Sequence, residues 1–250
     1  MAPKAVEPAW SKVFHQSSQD HLKGHPPIPA DSRDWPEEWL TTYYKTYPRL
    51  PKIPLSDERP AADFFELASR RASRRDFTRE PVSKREVSIL LRYACGVAGA
   101  LEDGRARRAH PSGGARFPIE SYPIVLKAAD NLPAGLYHYA VKAHALDVLW
   151  QRPFADEQVD GLFMYPWVKD AAVAIVLTAV FWRAQRKYGE RGYRYVLLEA
   201  GHIGQNLSLI CAALGLSCCA LGGTRDEAVE KLLDIDGVTE SVVYAVAIGK

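Results

Sequence analysis

Hydrophobic positions along the chain fall into three spacings, and each predicts a different element. The run AAVAIVLTAVF, inside Lys169–Phe181, is apolar at nearly every position and β-branched in its middle, as a strand buried on both faces requires. VVYAVAIGK at the chain end reads the same way, and a further strand is predicted over Tyr122–Lys127. GLYHY at 135–139 and ALDVLW from Ala145 flank the turn Val141–His144 and predict a hairpin. Helical spacing takes over in Ser83–Cys95, where Val87, Leu90, Leu91 and Ala94 share one face behind a capping box of Ser83 and Glu86. Shorter helices are predicted from Asp63, over Asp156–Met164, and over Thr224–Asp234, the last with a second capping box of Thr224 and Glu227.

The third spacing belongs to Arg186–Gly223. A polar loop bearing Lys187 and Tyr188 leads into a helix of more than five turns that is apolar on nearly every face and gives way to Gly222-Gly223. Ala200, Gly204, Ser208 and Ala212 recur every fourth residue, so one stripe lacks side-chain bulk and predicts a close neighbour. Arg194, Glu199, His202, Gln205 and Asn206 make this helix too polar to span a membrane. Interleaved strands and helices with one hairpin predict an α+β fold, a mixed sheet flanked by helices around that long central one. Residues 1–60 differ, holding more than half of the 17 prolines together with Trp10, Trp35, Trp39, Tyr43 and Tyr44. They are expected to form an irregular arm, with a short helix at 37–44, packed across a main domain at 61–250.

Composition narrows the function classes. A 250-residue chain with 47% hydrophobic residues can bury a large core, and a net charge of +2 argues against a nucleic-acid or membrane-surface protein. No apolar run follows Met1, so a cytoplasmic location is expected. The four cysteines contain no CxxC and predict buried, reduced thiols and no metal site. Charge is nevertheless concentrated locally, with arginines crowded between Arg70 and Arg108.

Four places in the chain suggest chemistry. Arg71, Ser73 and Arg75 alternate, so in an extended segment they point one way and suit a phosphate, although a solvated basic helix end has the same composition. Pro111-Ser112-Gly113, after Arg108, forms a small-residue turn that either lets backbone approach a flat or anionic ligand or is an ordinary turn before the strand at Tyr122–Lys127. Lys187 and Tyr188 are either a proton-handling pair or ordinary surface; a basic lysine needs burial or nearby charge, for which Arg186, Arg191 and Arg194 are close in sequence. Glu199, His202 and Gln205 share a helix face and line either a cavity or a satisfied buried network. His138 and His144 read as surface residues, and His110 as a neighbour of the ligand turn.

RASRRDF, RAHPSGGARFP, KYGERGYRYVLLEAGHIGQNL and ALGLSCCALGG, in this order, resemble the flavin-dependent nitroreductase superfamily, and within it the SagB-type azoline dehydrogenases. FHQSSQDH near the start is similar to the opening of free-standing members. The resemblance implies a homodimer with two FMN molecules at the subunit interface. It implies that Arg71, Ser73 and Arg75 hold the FMN phosphate and ribityl chain, with Lys250 left to replace a longer basic tail. It further implies that Pro111, Ser112 and Gly113, beside Arg108, approach the isoalloxazine from the other subunit, and that Gly222 and Gly223 face flavin N5. Lys187 and Tyr188 match the catalytic pair. The expected reaction oxidises thiazoline or oxazoline rings of a ribosomally made peptide to azoles, with a cyclodehydratase or another biosynthetic protein as a possible partner. Alternatives are an NAD(P)H-dependent reductase of nitroaromatics, quinones or another small molecule, and a non-catalytic scaffold for a biosynthetic partner.

Overall fold

The computed structural model describes residues 10–19, 28–29 and 31–250. Pro26 and Pro27 of the arm, and Asp20 and His21 of the FHQSSQDH stretch, lie outside the described residues. The strands are β1 (Lys52–Pro54), β2 (Val97–Ala100), β3 (Ala106–Arg108), β4 (Ile119–Val125), β5 (Gly135–Ala140), β6 (Ala145–Gln151), β7 (Val173–Val180), β8 (Ser217–Leu221) and β9 (Glu240–Gly249). The helices are α1 (Trp10–Ser17), α2 (Glu37–Leu40), α3 (Phe64–Arg70), α4 (Lys84–Cys95), α5 (Asp156–Asp160), α6 (Trp182–Tyr188), α7 (Arg191–Leu214) and α8 (Asp226–Leu233).

The main sheet has the order β1-β6-β5-β4-β7-β9-β8, and β2 pairs with β3 as a separate hairpin. Every neighbouring pair is antiparallel, so the α+β class holds. β7, buried at all eight positions, lies between β4 and β9 at the centre of the sheet, as its uninterrupted apolar run requires. One sheet face packs on α4 and α7 through Leu90, Leu91, Val196, Ile203 and Leu207, and the other packs on α8 and the α5 region through Val229, Leu233 and Phe163.

Several local expectations change in the folded chain. The glycine- and charge-rich segment Gly96–Arg108 carries the β2–β3 hairpin, which no hydrophobic spacing announced. The Ser83–Glu86 box forms as read, whereas Thr224 donates its hydroxyl to Asp226 and gives no capping box to α8. The small stripe of α7 lies against the protein's own sheet. A Cβ on Gly204 would sit 2.4 Å from Tyr244 Cε1 of β9, closer than any side-chain carbon tolerates. The arm is also more regular than its prolines imply, contributing α1, α2 and the edge strand β1. It is fastened by ion pairs from Lys45 to Glu240, Lys52 to Asp147 and Glu38 to Arg186.

Candidate active site

Lys187 and Tyr188 close helix α6 instead of sitting in a polar loop. Arg183, Ala184 and Lys187 share its buried face, the geometry of positions three and four apart. Lys187 Nζ is buried and has no hydrogen-bond partner. It lies 2.8 Å from the centroid of the Trp35 ring and 5.4 Å from those of Trp39 and Tyr188. Burial, followed by the positive charges of Arg105 and Arg116, pulls this amine from the ordinary lysine value of 10.5 down to about 7. An ammonium over an indole face is favoured, but desolvation between two guanidinium groups opposes it more strongly.

The turn Ser112–Gly114 packs onto the same pair. Gly114 has a φ of 60°, and a Cβ there would meet Tyr188 Oη at 2.6 Å and Lys187 Nζ at 2.9 Å. Glycine is required on both counts. Ser112 Oγ accepts from the Phe117 amide at 2.8 Å and Arg105 donates to the Gly114 carbonyl at 3.0 Å, so the turn is held at its base and its crest. Pro111, Ser112, Gly113, Tyr188, Tyr195 and Leu198, with Glu199 and His202, line a mostly apolar cleft of about 410 Å³. Glu199 bonds the buried His110 at 3.1 Å, whose Nδ1 is left without a partner. Tyr188 thus faces the cleft, while the Lys187 amine lies behind the glycine turn and beneath the arm.

A second group of residues gathers elsewhere. Arg71, Ser73 and Arg75 lie in an extended segment after α3 that runs beside edge strand β8, where the Arg74 amide donates to the Cys218 carbonyl at 2.8 Å. The Thr78 amide reaches the Lys250 carbonyl at 2.8 Å, bringing the chain end to the same edge. Arg75 lies 6.0 Å from the Trp167 ring, Trp167 stacks on Tyr165, and Tyr165 borders Gly223. Neither Arg71 nor Arg75 forms an ion pair among the described residues, and nothing stands within 4 Å of a Cβ built on Gly222. Two uncompensated guanidiniums, a hydroxyl and an open glycine backbone fit a phosphorylated planar cofactor. None of these residues lines the cleft of Tyr188; the two halves stay apart within one chain.

Other candidates take different places from those expected. Arg186 pairs with Glu38 at 2.5 Å, while Arg191 and Arg194 donate to Ser18 and His15 around α1. The charges beside Lys187 therefore come from Arg105 and Arg116, which no spacing in the sequence linked to it. Arg108 is buried with its guanidinium 4.5 Å from the Phe117 ring, outside the cleft lining. His138 is no surface residue but is fully buried, with its two ring nitrogens on Glu120 and Asp147 at 3.1 and 3.0 Å. His144 is half-buried against Tyr139 and Ser56. Trp35 and Trp39 also escaped the reading, because proline-rich surroundings gave no period from which to infer what they cover.

The Nitroreductase family matches residues 67–250. A protein of Methanocaldococcus jannaschii named as a nitroreductase is 30% identical over 66% of this chain and 81% of its own length. The trifolitoxin-processing protein TfxB of Rhizobium leguminosarum bv. trifolii is 31% identical over 64% of this chain and 45% of its own. The microcin B17-processing protein McbC of Escherichia coli is 33% identical over 62% and 58%. The match thus spans about half the length of these two processing proteins. The E. coli microcin synthetase McbBCD complex with truncated pro-MccB17 bound aligns with a TM-score of 0.60 at 23% identity, over 97% of this chain and 92% of that one. A nitroreductase-named protein from Exiguobacterium sibiricum in complex with FMN aligns with a TM-score of 0.52 at 15% identity, over 77% and 90%. Both structures share the fold. With a family match across residues 67–250 and a relative 30% identical along 81% of its own length, the chain belongs to the nitroreductase family.

Proposed function

We propose that this protein is an FMN-dependent dehydrogenase that oxidises azoline rings to azoles in a ribosomally made peptide. The carrying observation is the Lys187 amine, buried, unpartnered and held near neutrality beside a tyrosine that opens onto an apolar cleft. Making an azole from an azoline removes a proton from one ring carbon and a hydride from its neighbour. FMN, held by Arg71, Ser73, Arg75 and Lys250 with Gly222 and Gly223 under its reactive edge, would accept the hydride. Lys187, its amine pulled down to about 7, is the base, with Tyr188 between it and the cleft to pass the proton. Pro111, Tyr195 and Leu198 give that transfer apolar walls. Glu199 and His110 brace the cleft wall.

The separation of the cleft from the Arg71 group supports a homodimer in which each subunit completes the other's site. Leu197 and Leu198 are exposed on α7, and Phe64 and Phe65 on α3, apolar surface of the kind such an interface covers. The names of TfxB and McbC, and the McbBCD assembly, favour a peptide substrate and a biosynthetic partner. The M. jannaschii relative favours the competing NAD(P)H-dependent reductase. The purified protein's visible spectrum and an azoline peptide under oxygen test the choice. Lys187→Met should abolish azole formation while sparing reduction of a nitroaromatic by NADPH. Equal loss of both activities, or a protein that neither carries nor takes up FMN, would sink the proposal.

A further inference from the structure

The arm crosses Lys187 on a support that belongs to the main domain. Arg116, 1% exposed, donates from Nη1 to the Trp39 and Thr41 carbonyls at 2.8 and 2.9 Å, and from Nε to the Arg183 carbonyl at 2.8 Å. Arg183 lies one turn before Lys187 on α6, so one guanidinium ties the arm to the helix bearing the amine. Its Nη2 has no partner, and no carboxylate pairs with it among the described residues. Burying a guanidinium without a counter-charge is costly, and three carbonyls offset only part of that cost. A lysine or glutamine cannot reproduce the fork, and nothing about fastening a surface arm requires a full charge in that position.

The groups facing Lys187 leave Arg116 as the unbalanced one. Arg105 acts on the amine more strongly than Arg116 does, but it is paired with Asp103 at 2.6 Å. Arg186, next in the helix, is neutralised by Glu38 of α2. Tyr188, Trp35, Trp39 and the Gly114 backbone complete the enclosure and carry no charge at neutral pH.

We propose that Arg116 is a positioning residue for Lys187: a single buried guanidinium that pins the tryptophan-bearing strap over the amine and sets an uncompensated positive charge beside it. The proposal rests on Lys187 being the base, but its test does not depend on turnover. The protonation midpoint of Lys187 is read by NMR of protein carrying 13Cε-labelled lysine, with the resonance assigned by its loss in Lys187→Met. Arg116→Gln removes the charge and should raise that midpoint by about one pH unit or more, a tenfold rise in proton affinity. Arg116→Lys keeps the charge but not the fork. It should leave the midpoint within about half a unit while amide hydrogen exchange over residues 35–41 accelerates at least about tenfold. A midpoint unchanged in folded Arg116→Gln overturns the electrostatic part, and unchanged exchange in Arg116→Lys overturns the pinning. If Arg116→Gln does not fold, the Arg116→Lys exchange decides alone. Absence of azole-forming activity with the expected midpoints would count against the substrate and leave Arg116's role standing.

Discussion

Replacing Lys187 with Met probes the electrostatics of the site without any substrate. The buried amine titrates near 7 instead of at 10.5, while in the unfolded chain it stays protonated throughout that interval. Because the folded value lies below the unfolded one for a cationic group, folding carries a penalty that is complete below pH 7. The penalty shrinks as pH rises and vanishes near the ordinary lysine value. A tenfold change in proton affinity is worth about 1.4 kcal/mol, which makes the full penalty about 5 kcal/mol. Methionine keeps the length of the side chain and packs on an indole without carrying charge. Lys187→Met should therefore be more stable than the parent by about 4 kcal/mol near pH 7, with the gap closing as pH rises toward 10. Urea unfolding of both proteins at fixed concentration across that range measures it. A gap that does not change with pH would refute the reasoning, since it would assign the difference to packing and not to a reluctant proton.

Two further substitutions address the structure around that pair. Gly114→Ala introduces a Cβ into the space held by Tyr188 Oη and Lys187 Nζ at a positive φ; it should cost about 1 to 3 kcal/mol of stability and at least about tenfold in turnover, read by thermal melting and by initial rates. Glu120 is held down at about 2 against burial, which pushes it up, by its hydrogen bond to His138 and the charge of Arg183. A depressed carboxylate stabilises the fold above its ordinary value and loses that stabilisation as pH falls toward 2. Glu120→Gln should lower stability at pH 7 by about 3 kcal/mol and flatten the acid limb of the parent's stability profile; an unchanged limb would show that another group controls acid unfolding.

How much of this was legible beforehand depends on the range of the interactions involved. The buried runs of β7 and β9, the amphipathic α4 with its Ser83–Glu86 box and the long α7 could be read because each is written by neighbours a few residues apart. The alternation of Arg71, Ser73 and Arg75, and the order of the four motifs, were equally local. The sequence by itself thus determined the class of fold, the family resemblance and the Lys187–Tyr188 pair as a candidate.

Only the tertiary structure decided what that lysine is. Arg105 and Arg116 lie about 70 to 80 positions earlier and Trp35 about 150 earlier, and no period connects them to α6. Their convergence on one amine follows from where the glycine turn and the arm come to rest. The same reason moved His138 from the surface into an ion cluster between Glu120 and Asp147, and turned the small stripe of α7 onto Tyr244. Burial and field at a point are set by every chain segment that passes it, and a linear sequence states only which segments are available to do so.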